Sequence, residues 1–364
     1  MRFLYIFGLV FLSQFCYSQF KIESISPVVN QKDSFNIEII KNLGYFLVNK
    51  DTKYWLQSDF EIFKFPFHEL KGIESGKEGA YFYKPSIMEI IPTEEENKRI
   101  VKIAFIGYHQ KTKTSNIKAI YNVVAIKIND DIFFSKYLNY FTRNWTIKKV
   151  ENITYIISPT RSFNIEEAFK QKKEIKKLSE FFSIEEFSIT YFSTVSPEEV
   201  FRLKGFDYHP MMYVDKSGGF AEEFNIVISG NNSEYYNHEV AHLFISKAFT
   251  KLDSFFNEGL ATYLGGSGKF DYLWQKNKFK EFLKENPKYD FFEHLDIYER
   301  FYFQEETPIP YLASAIICEM IIEKYGKEKL FEVLREGISV IETLKLFKLE
   351  KENLNNEMRQ FLEI

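Results

Sequence analysis

The sequence predicts an α+β fold: a helix and an antiparallel sheet first, then a small sheet that gives way to a mostly helical C-terminal half. Three observations carry this reading. Apolar residues recur at helical spacing from Ser34 to Lys50, β-branched and aromatic segments follow to about residue 158, and helical patterning runs from about residue 231 to the end. At 364 residues the chain exceeds a compact domain of roughly 100–200 residues, so two domains are expected. Forty Phe and 23 Tyr supply a sizeable core. The net charge of −4 is spread without long single-sign blocks, which argues against nucleic acid or anionic lipid as partners.

Residues 1–18 read as a secretory signal peptide. Arg2 precedes an uncharged run that reaches Gln19, too short and too soon interrupted for a membrane span, and the small side chains of Cys16 and Ser18 suit cleavage before Gln19. The mature chain is therefore expected to be exported, to the periplasm or the outside of a bacterium, with no stable membrane span. Cleavage removes Cys16 and leaves Cys318 as a lone thiol. It lies in the apolar helical run ASAIICEMII, where a buried, inert thiol is expected.

Residues 19–158 are read as the first domain. In SFNIEIIKNLGYFLVNK, Ile37, Ile40, Leu43 and Leu47 mark one helix face, and Asp33 or Ser34 can cap it. The segments FEIFKF, GAYFYKPSIMEII, RIVKIAFIGYH, NIKAIYNVVAIKI, IFFSKYLNYF and TIKKVENITYII read as strands. This order of elements resembles the NTF2-like cone fold. The region holds no catalytic cluster, and its partner is unknown. The boundary falls at Ser158-Pro159-Thr160, and residues 159–364 form the second domain. There 163–182 read as an amphipathic helix, FSITYFS as a strand and SPEEVFRLKG as a short helix started by Ser196, Pro197 and Glu199. MMYVD and EFNIVISG read as strands around the turn signal Lys216-Ser217-Gly218-Gly219-Phe220.

The chemistry concentrates in Asn237-His238-Glu239-Val240-Ala241-His242, preceded by Asn231-Asn232-Ser233-Glu234, which can cap and start a helix. Residues four apart share a helix face, so His238 and His242 can offer two imidazoles to one ion. Glu239 is offset, with its carboxylate beside the ion rather than on it, as suits a base. Six His and 51 acidic residues in 364 give a chance expectation of about 0.014 such matches. A third ligand candidate, Glu258, follows in Phe256-Asn257-Glu258-Gly259-Leu260-Ala261, on a short helix that Asp253 or Ser254 can cap and Gly265-Gly266 can end. A carboxylate in an otherwise apolar turn needs a partner, and a cation is the natural one.

HEVAH followed by NEGLATYL resembles the gluzincins, zinc peptidases of the broad peptidase MA-like group in which a glutamate on a second helix completes the metal site. The likeness covers roughly residues 163–340. It implies a thermolysin-like catalytic domain holding one Zn2+ through His238, His242 and Glu258, with Glu239 as catalytic base. The gap between His242 and Glu258 is shorter than in the best-known gluzincins, which requires a tight connecting loop. Some relatives place an acid at the position of Thr262 to orient a histidine, a role open here to Asn257 or a backbone carbonyl. Tyr311-Leu312-Ala313-Ser314-Ala315 resembles the segment whose tyrosine faces the metal, making Tyr311 the candidate oxyanion donor, with Tyr298, Tyr302 and His294 as nearby substitutes. The segment Gly218–Glu222 resembles the edge strand that binds extended peptide, and Gly219 and Glu222 partly resemble the aminopeptidase motif whose glutamate holds a free amine.

The function expected is therefore an exported zinc metallopeptidase, a hydrolase of peptide or protein substrates. In it a zinc-activated water attacks the peptide bond, Glu239 moves the proton to the leaving amine, and Tyr311 steadies the oxyanion. The alternatives are a noncatalytic exported zinc-containing binding protein and a zinc hydrolase of a nonpeptide bond. His68, His109 and His209 join no cluster.

Overall fold

The computed structural model describes residues 22–299, 302–304 and 307–364. The signal-peptide reading, with Cys16, lies outside them. The chain is a mixed α+β structure built on two main sheets. No described helix is long and apolar enough to cross a membrane.

The first sheet opens with a short strand β1 (Ser24–Ile25), which helix α1 (Ser34–Asn49) follows in the chain. Asp33 caps α1 by accepting from the backbone N–H groups of Phe35 and Asn36. The inward face of α1 is Phe35, Ile39, Leu43, Phe46 and Leu47, while Ile37 is 49% exposed. The helix is thus rotated from the face its spacing suggests, because the aromatic rings take the core positions. Phe46 packs on Trp55, Phe67 and Phe134 at 5.3–5.9 Å. FEIFKF is not a strand but the turn of helix α2 (Asp59–Ile62) and the loop after it. The physical reason is Asp59, a buried carboxylate that accepts from Trp55 Nε1 at 2.9 Å, Ser135 Oγ at 2.9 Å and Lys136 N at 2.8 Å. The bonds to Ser135 and Lys136 are nonlocal, and they outweigh local strand preference.

Strands β2 (Lys84–Pro92), β3 (Lys98–His109), β4 (Thr114–Ile128) and β5 (Asp131–Lys136) run antiparallel in chain order. IFFSKYLNYF splits, since helix α3 (Tyr137–Phe141) begins directly after β5.

The hairpin of β6 (Thr146–Val150) and β7 (Ile153–Ile157), expected in the first sheet, belongs to the second. β7 pairs in parallel with β8 (Ile189–Ser193) after the crossover helix α4 (Ile165–Phe182). The break between the two sheets therefore precedes Thr146. Strand order is settled by which partner buries Val150, Ile153, Tyr155 and Ile157, and that partner is the helical core of the second half.

Helix α5 (Pro197–Leu203), capped by Ser196, leads to β9 (Phe206–Tyr208), which crosses back to pair with β4 of the first sheet. MMYVD is a turn, not a strand. β10 (Gly219–Glu222) and β11 (Ile226–Ser229) complete the second sheet, in the order β10-β11-β8-β7-β6. All four residues of β11 are buried. Val227 joins the helical core, whereas Ile226 and Ile228 join an apolar cluster with Phe63 and Leu138 of the N-terminal unit. Coverage of both faces explains why this strand reads as a continuous apolar run.

Helices α6 (Asn237–Ala248), α7 (Ser254–Gly265) and α8 (Tyr272–Glu285) follow. A small ribbon, β12 (Tyr302–Gln304) and β13 (Thr307–Pro308), precedes α9 (Ile309–Tyr325), α10 (Lys327–Arg335), α11 (Val340–Leu346) and α12 (Leu354–Leu362). Cys318 on α9 is fully buried, and burial pushes its thiol up to about 12. That matches an inert core thiol.

The turn into α6 is anchored by Glu234, which is fully buried. Its carboxylate accepts from Arg161 Nη2 at 2.9 Å, Asn164 N at 3.1 Å and Ser193 Oγ at 3.2 Å, joining α4, β8 and the start of α6. Glu234→Ala strands a buried guanidinium and is expected to lower stability by about 3–5 kcal/mol. A drop in urea midpoint at constant m-value is the measurement that checks it.

Candidate metal centre and the cavity around it

Helix α6 begins without a side-chain cap. The Asn231–Glu234 stretch forms the preceding turn, and the N–H of Tyr236 finds Gln171 Oε1 of α4 at 2.9 Å. Asn237 is buried and clasped from two sides. Its Oδ1 accepts from Gln171 Nε2 at 3.1 Å, and its Nδ2 donates to the Leu264 carbonyl at 2.9 Å. His238 and His242 then sit one turn apart on the same face of α6.

Residues 249–253 connect α6 to α7, and Asp253 caps α7 by accepting from Phe255 N at 2.9 Å. α7 lies tight against α9. A Cβ on Gly259 would sit 2.1 Å from Ser314 Oγ, which itself donates to the Phe255 carbonyl at 2.6 Å. The glycine after Glu258 therefore sets how closely α7 approaches α9, and with it the reach of the carboxylate.

Three ligand-type atoms converge between the two helices. His238 Nε2 lies 3.2 Å from both His242 Nε2 and Glu258 Oε2, and His242 Nε2 lies 3.5 Å from Glu258 Oε2. In a tetrahedral site with bonds of about 2.0–2.1 Å, neighbouring ligand atoms stand about 3.3 Å apart. The triangle fits that edge length.

Hydrogen bonding on the far side of each ring sharpens the point. His238 Nδ1 lies 2.7 Å from the Gly266 carbonyl, which can only accept, so the proton of the neutral ring is on Nδ1. His242 Nδ1 lies 3.0 Å from Asn257 Oδ1, with the same consequence. Both Nε2 atoms and the carboxylate are then acceptors facing one another, an arrangement that needs a cation or a proton at its centre. Gly266 serves this role from a backbone φ of +75°, a conformation that favours glycine. Thr262 takes no part, since it is fully buried and its Oγ1 has no hydrogen-bond partner among the described residues.

The ionisation of the group follows from this geometry. Burial disfavours a charge on His242, but the Glu258 carboxylate outweighs it and raises the imidazole to about 9. Burial likewise pushes the Glu258 carboxyl up, and the two imidazoles overcome that and hold it well below the usual carboxylate range. A proton on His242 thus stands where a cation would. His238, His242 and Glu258 could hold a metal ion.

A cavity of about 620 Å³ opens in front of the triangle. Glu239 lines it, mostly buried, and no hydrogen bond or ion pair engages its carboxylate among the described residues. Tyr311 lines it from the start of α9, its ring parallel to the His238 imidazole within 4° at a centroid distance of 6.3 Å. Burial, with Glu258 and Glu239 close by, pushes the Tyr311 phenol far up, so it remains a donor at neutral pH. Tyr302 also lines the cavity. Of the other substitutes, Tyr298 is 78% exposed and meets Ser254, and His294 meets Glu299 at 2.8 Å. Neither reaches the cavity.

Tyr236, which sequence reasoning missed, is buried beside His238 with centroids 6.1 Å apart and lines the same cavity. Nothing in the sequence marks it beyond its place before the motif. Glu222 is held by two lysines. Its carboxylate is 2.6 Å from Lys204 Nζ and 3.9 Å from Lys136 Nζ. Its charge is thus matched by lysines of this chain, while the residue also lines the cavity.

Comparison with protein-family models and with curated proteins finds no match. The case for the site therefore stands on its geometry.

Glu258→Ala is expected to abolish metal uptake, and Asn257→Ala to weaken it by about 10–100-fold, measured by competition with a chromophoric chelator. Because His242 carries a proton below about 9 in the metal-free chain, each ion bound releases one proton. Affinity then rises about tenfold per pH unit between pH 7 and 9 and levels above that. Titration in buffers of different ionisation enthalpy checks the proton count.

Proposed function

We propose that this chain is a zinc-dependent hydrolase of peptide bonds, related to the gluzincins it resembles, with His238, His242 and Glu258 holding one Zn2+. The observation that carries the reading is the trio of mutually facing acceptor atoms at tetrahedral spacing, set beside an unengaged carboxylate, Glu239, in an open cavity. Two imidazoles and one carboxylate are a donor set that suits zinc and leaves a position for chemistry. Bound by these residues, the ion would supply Lewis acidity.

Glu239 accepts the proton of the attacking water and delivers it to the leaving amine. Tyr311, kept protonated by burial, donates to the carbonyl oxygen as negative charge develops there. A peptide substrate is supported by β10, which stands at the end of its sheet, lines the same cavity and pairs with no other described strand along its outer edge. That edge offers backbone N–H and C=O groups to an extended chain. The open cavity beside Glu239 favours the enzyme over a noncatalytic metal-containing binding protein. Export, to the periplasm or beyond, is part of the proposal and rests on residues 1–18. Helix α1 packed on the strongly paired first sheet is consistent with an NTF2-like arrangement for the N-terminal unit, and the helical second half with a thermolysin-like one.

Glu239→Gln is expected to retain zinc while kcat falls by about 10²–10⁴-fold, and Tyr311→Phe to lower kcat by about 10²–10³-fold with little change in metal content. Cleavage of a mixed peptide library read by mass spectrometry, alongside metal analysis, tests both. Unchanged hydrolysis by the Glu239 variant would sink the mechanism.

A further inference from the structure

Behind β10, on the side away from the ligand triangle, lies a second cavity of about 770 Å³. The stretch Ser217–Glu223 lines both cavities, so the strand is their shared wall. Phe220 and Glu222, two apart on the strand, both turn to this rear side. Phe220 meets Phe201 edge-on at 6.2 Å, and Glu222 meets Lys204 at 2.6 Å.

The rear cavity is walled by aromatic rings, Phe63, Phe65, Phe201 and Phe220. Phe63 and Phe65 come from a loop of the N-terminal unit that is fastened at two levels. At the rim Lys64 Nζ lies 3.1 Å from Glu223 Oε1, and at the floor Glu69 Oε1 lies 2.8 Å from Lys136 Nζ and 3.5 Å from Lys204 Nζ. The two lysines at the floor are matched by Glu69 and Glu222. With its charges balanced, the floor offers no net attraction to an ion, and the walls favour an apolar group.

An extended peptide paired with the open edge of β10 sends alternate side chains to opposite faces of the sheet. One set faces the triangle, and the other reaches the rear cavity. We propose that the rear cavity is a specificity subsite for a large apolar or aromatic side chain of such a peptide, and that the N-terminal unit builds it. The peptide nature of the ligand rests on the function proposed above. Under this assignment the N-terminal unit selects substrate, and the second half cleaves it.

The test uses the full mature chain carrying Glu239→Gln and loaded with zinc, titrated by fluorescence anisotropy with short Ser/Ala peptides in which a single Phe is walked through the sequence. At alternate positions Phe should bind about tenfold tighter than Ala, the scale of one well-filled apolar pocket. Adding Phe65→Ala should bring that ratio within about twofold, and Phe65→Asp should turn the preference toward Lys. Phe65 is 45% exposed, so replacing it leaves the core intact. Equal affinity for Phe and Ala at every position, or a ratio that neither Phe65 variant alters, overturns the subsite. Selective binding here, together with no cleavage by the unsubstituted chain, keeps the subsite and removes the peptidase reading. Cleavage with an unaltered Phe preference in the Phe65 variants does the reverse.

Discussion

Two imidazole nitrogens and a carboxylate oxygen face one another within 3.5 Å, each with its lone pair turned inward. Left to themselves such groups repel, and only a positive charge at the centre makes the arrangement favourable. Much of the second half of the chain serves to hold it. Gly266 and Asn257 fix the rings from behind, Gly259 lets α7 settle onto α9, and Asn237 ties the start of α6 to both α4 and the end of α7. Loss of the Gly266 or Asn257 contact lets a ring rotate away, because an imidazole without a partner on its far nitrogen has no reason to keep its orientation.

The same helix that carries the ligands also closes the chain of support to the sheet. Glu234 joins the turn before α6 to Arg161, Asn164 and Ser193, so the ligand helix is referenced to α4 and β8 through one buried carboxylate. β11, buried on both faces, transmits that reference to β10 at the edge of the cavity. The His238–His242–Glu258 group and the strand beside it are thus positioned by one continuous set of buried contacts.

The two units of the chain are interlocked rather than strung together. β9 leaves the second half to pair with β4, the β6–β7 hairpin enters the second sheet, and an apolar cluster shared by Phe63, Leu138, Ile226 and Ile228 lies between them. Lys136 and Glu69 of the first unit meet Lys204 and Glu222 of the second in a buried network. Buried charges that satisfy one another across such a junction cost several kcal/mol to separate, which makes the N-terminal unit part of the wall around β10.

The sequence by itself determined what is local. Four-residue spacing on a helix places His238 and His242 on one face whatever surrounds them. Asp33, Ser196 and Asp253 cap because their carboxylates or hydroxyl reach the next backbone N–H groups, and alternating apolar residues make β3 and β4 strands. The α+β character and the candidate ligands were legible for that reason. Tertiary structure decided what depends on distant partners. FEIFKF turned helical around Asp59, the β6–β7 hairpin joined the second sheet, Tyr236 came to lie beside His238, and Glu222 found Lys204 as its partner. Periodicity reports which face of an element is apolar. It carries no information on which distant surface will cover that face, because that choice is made by packing and buried charge pairing between residues far apart in the chain.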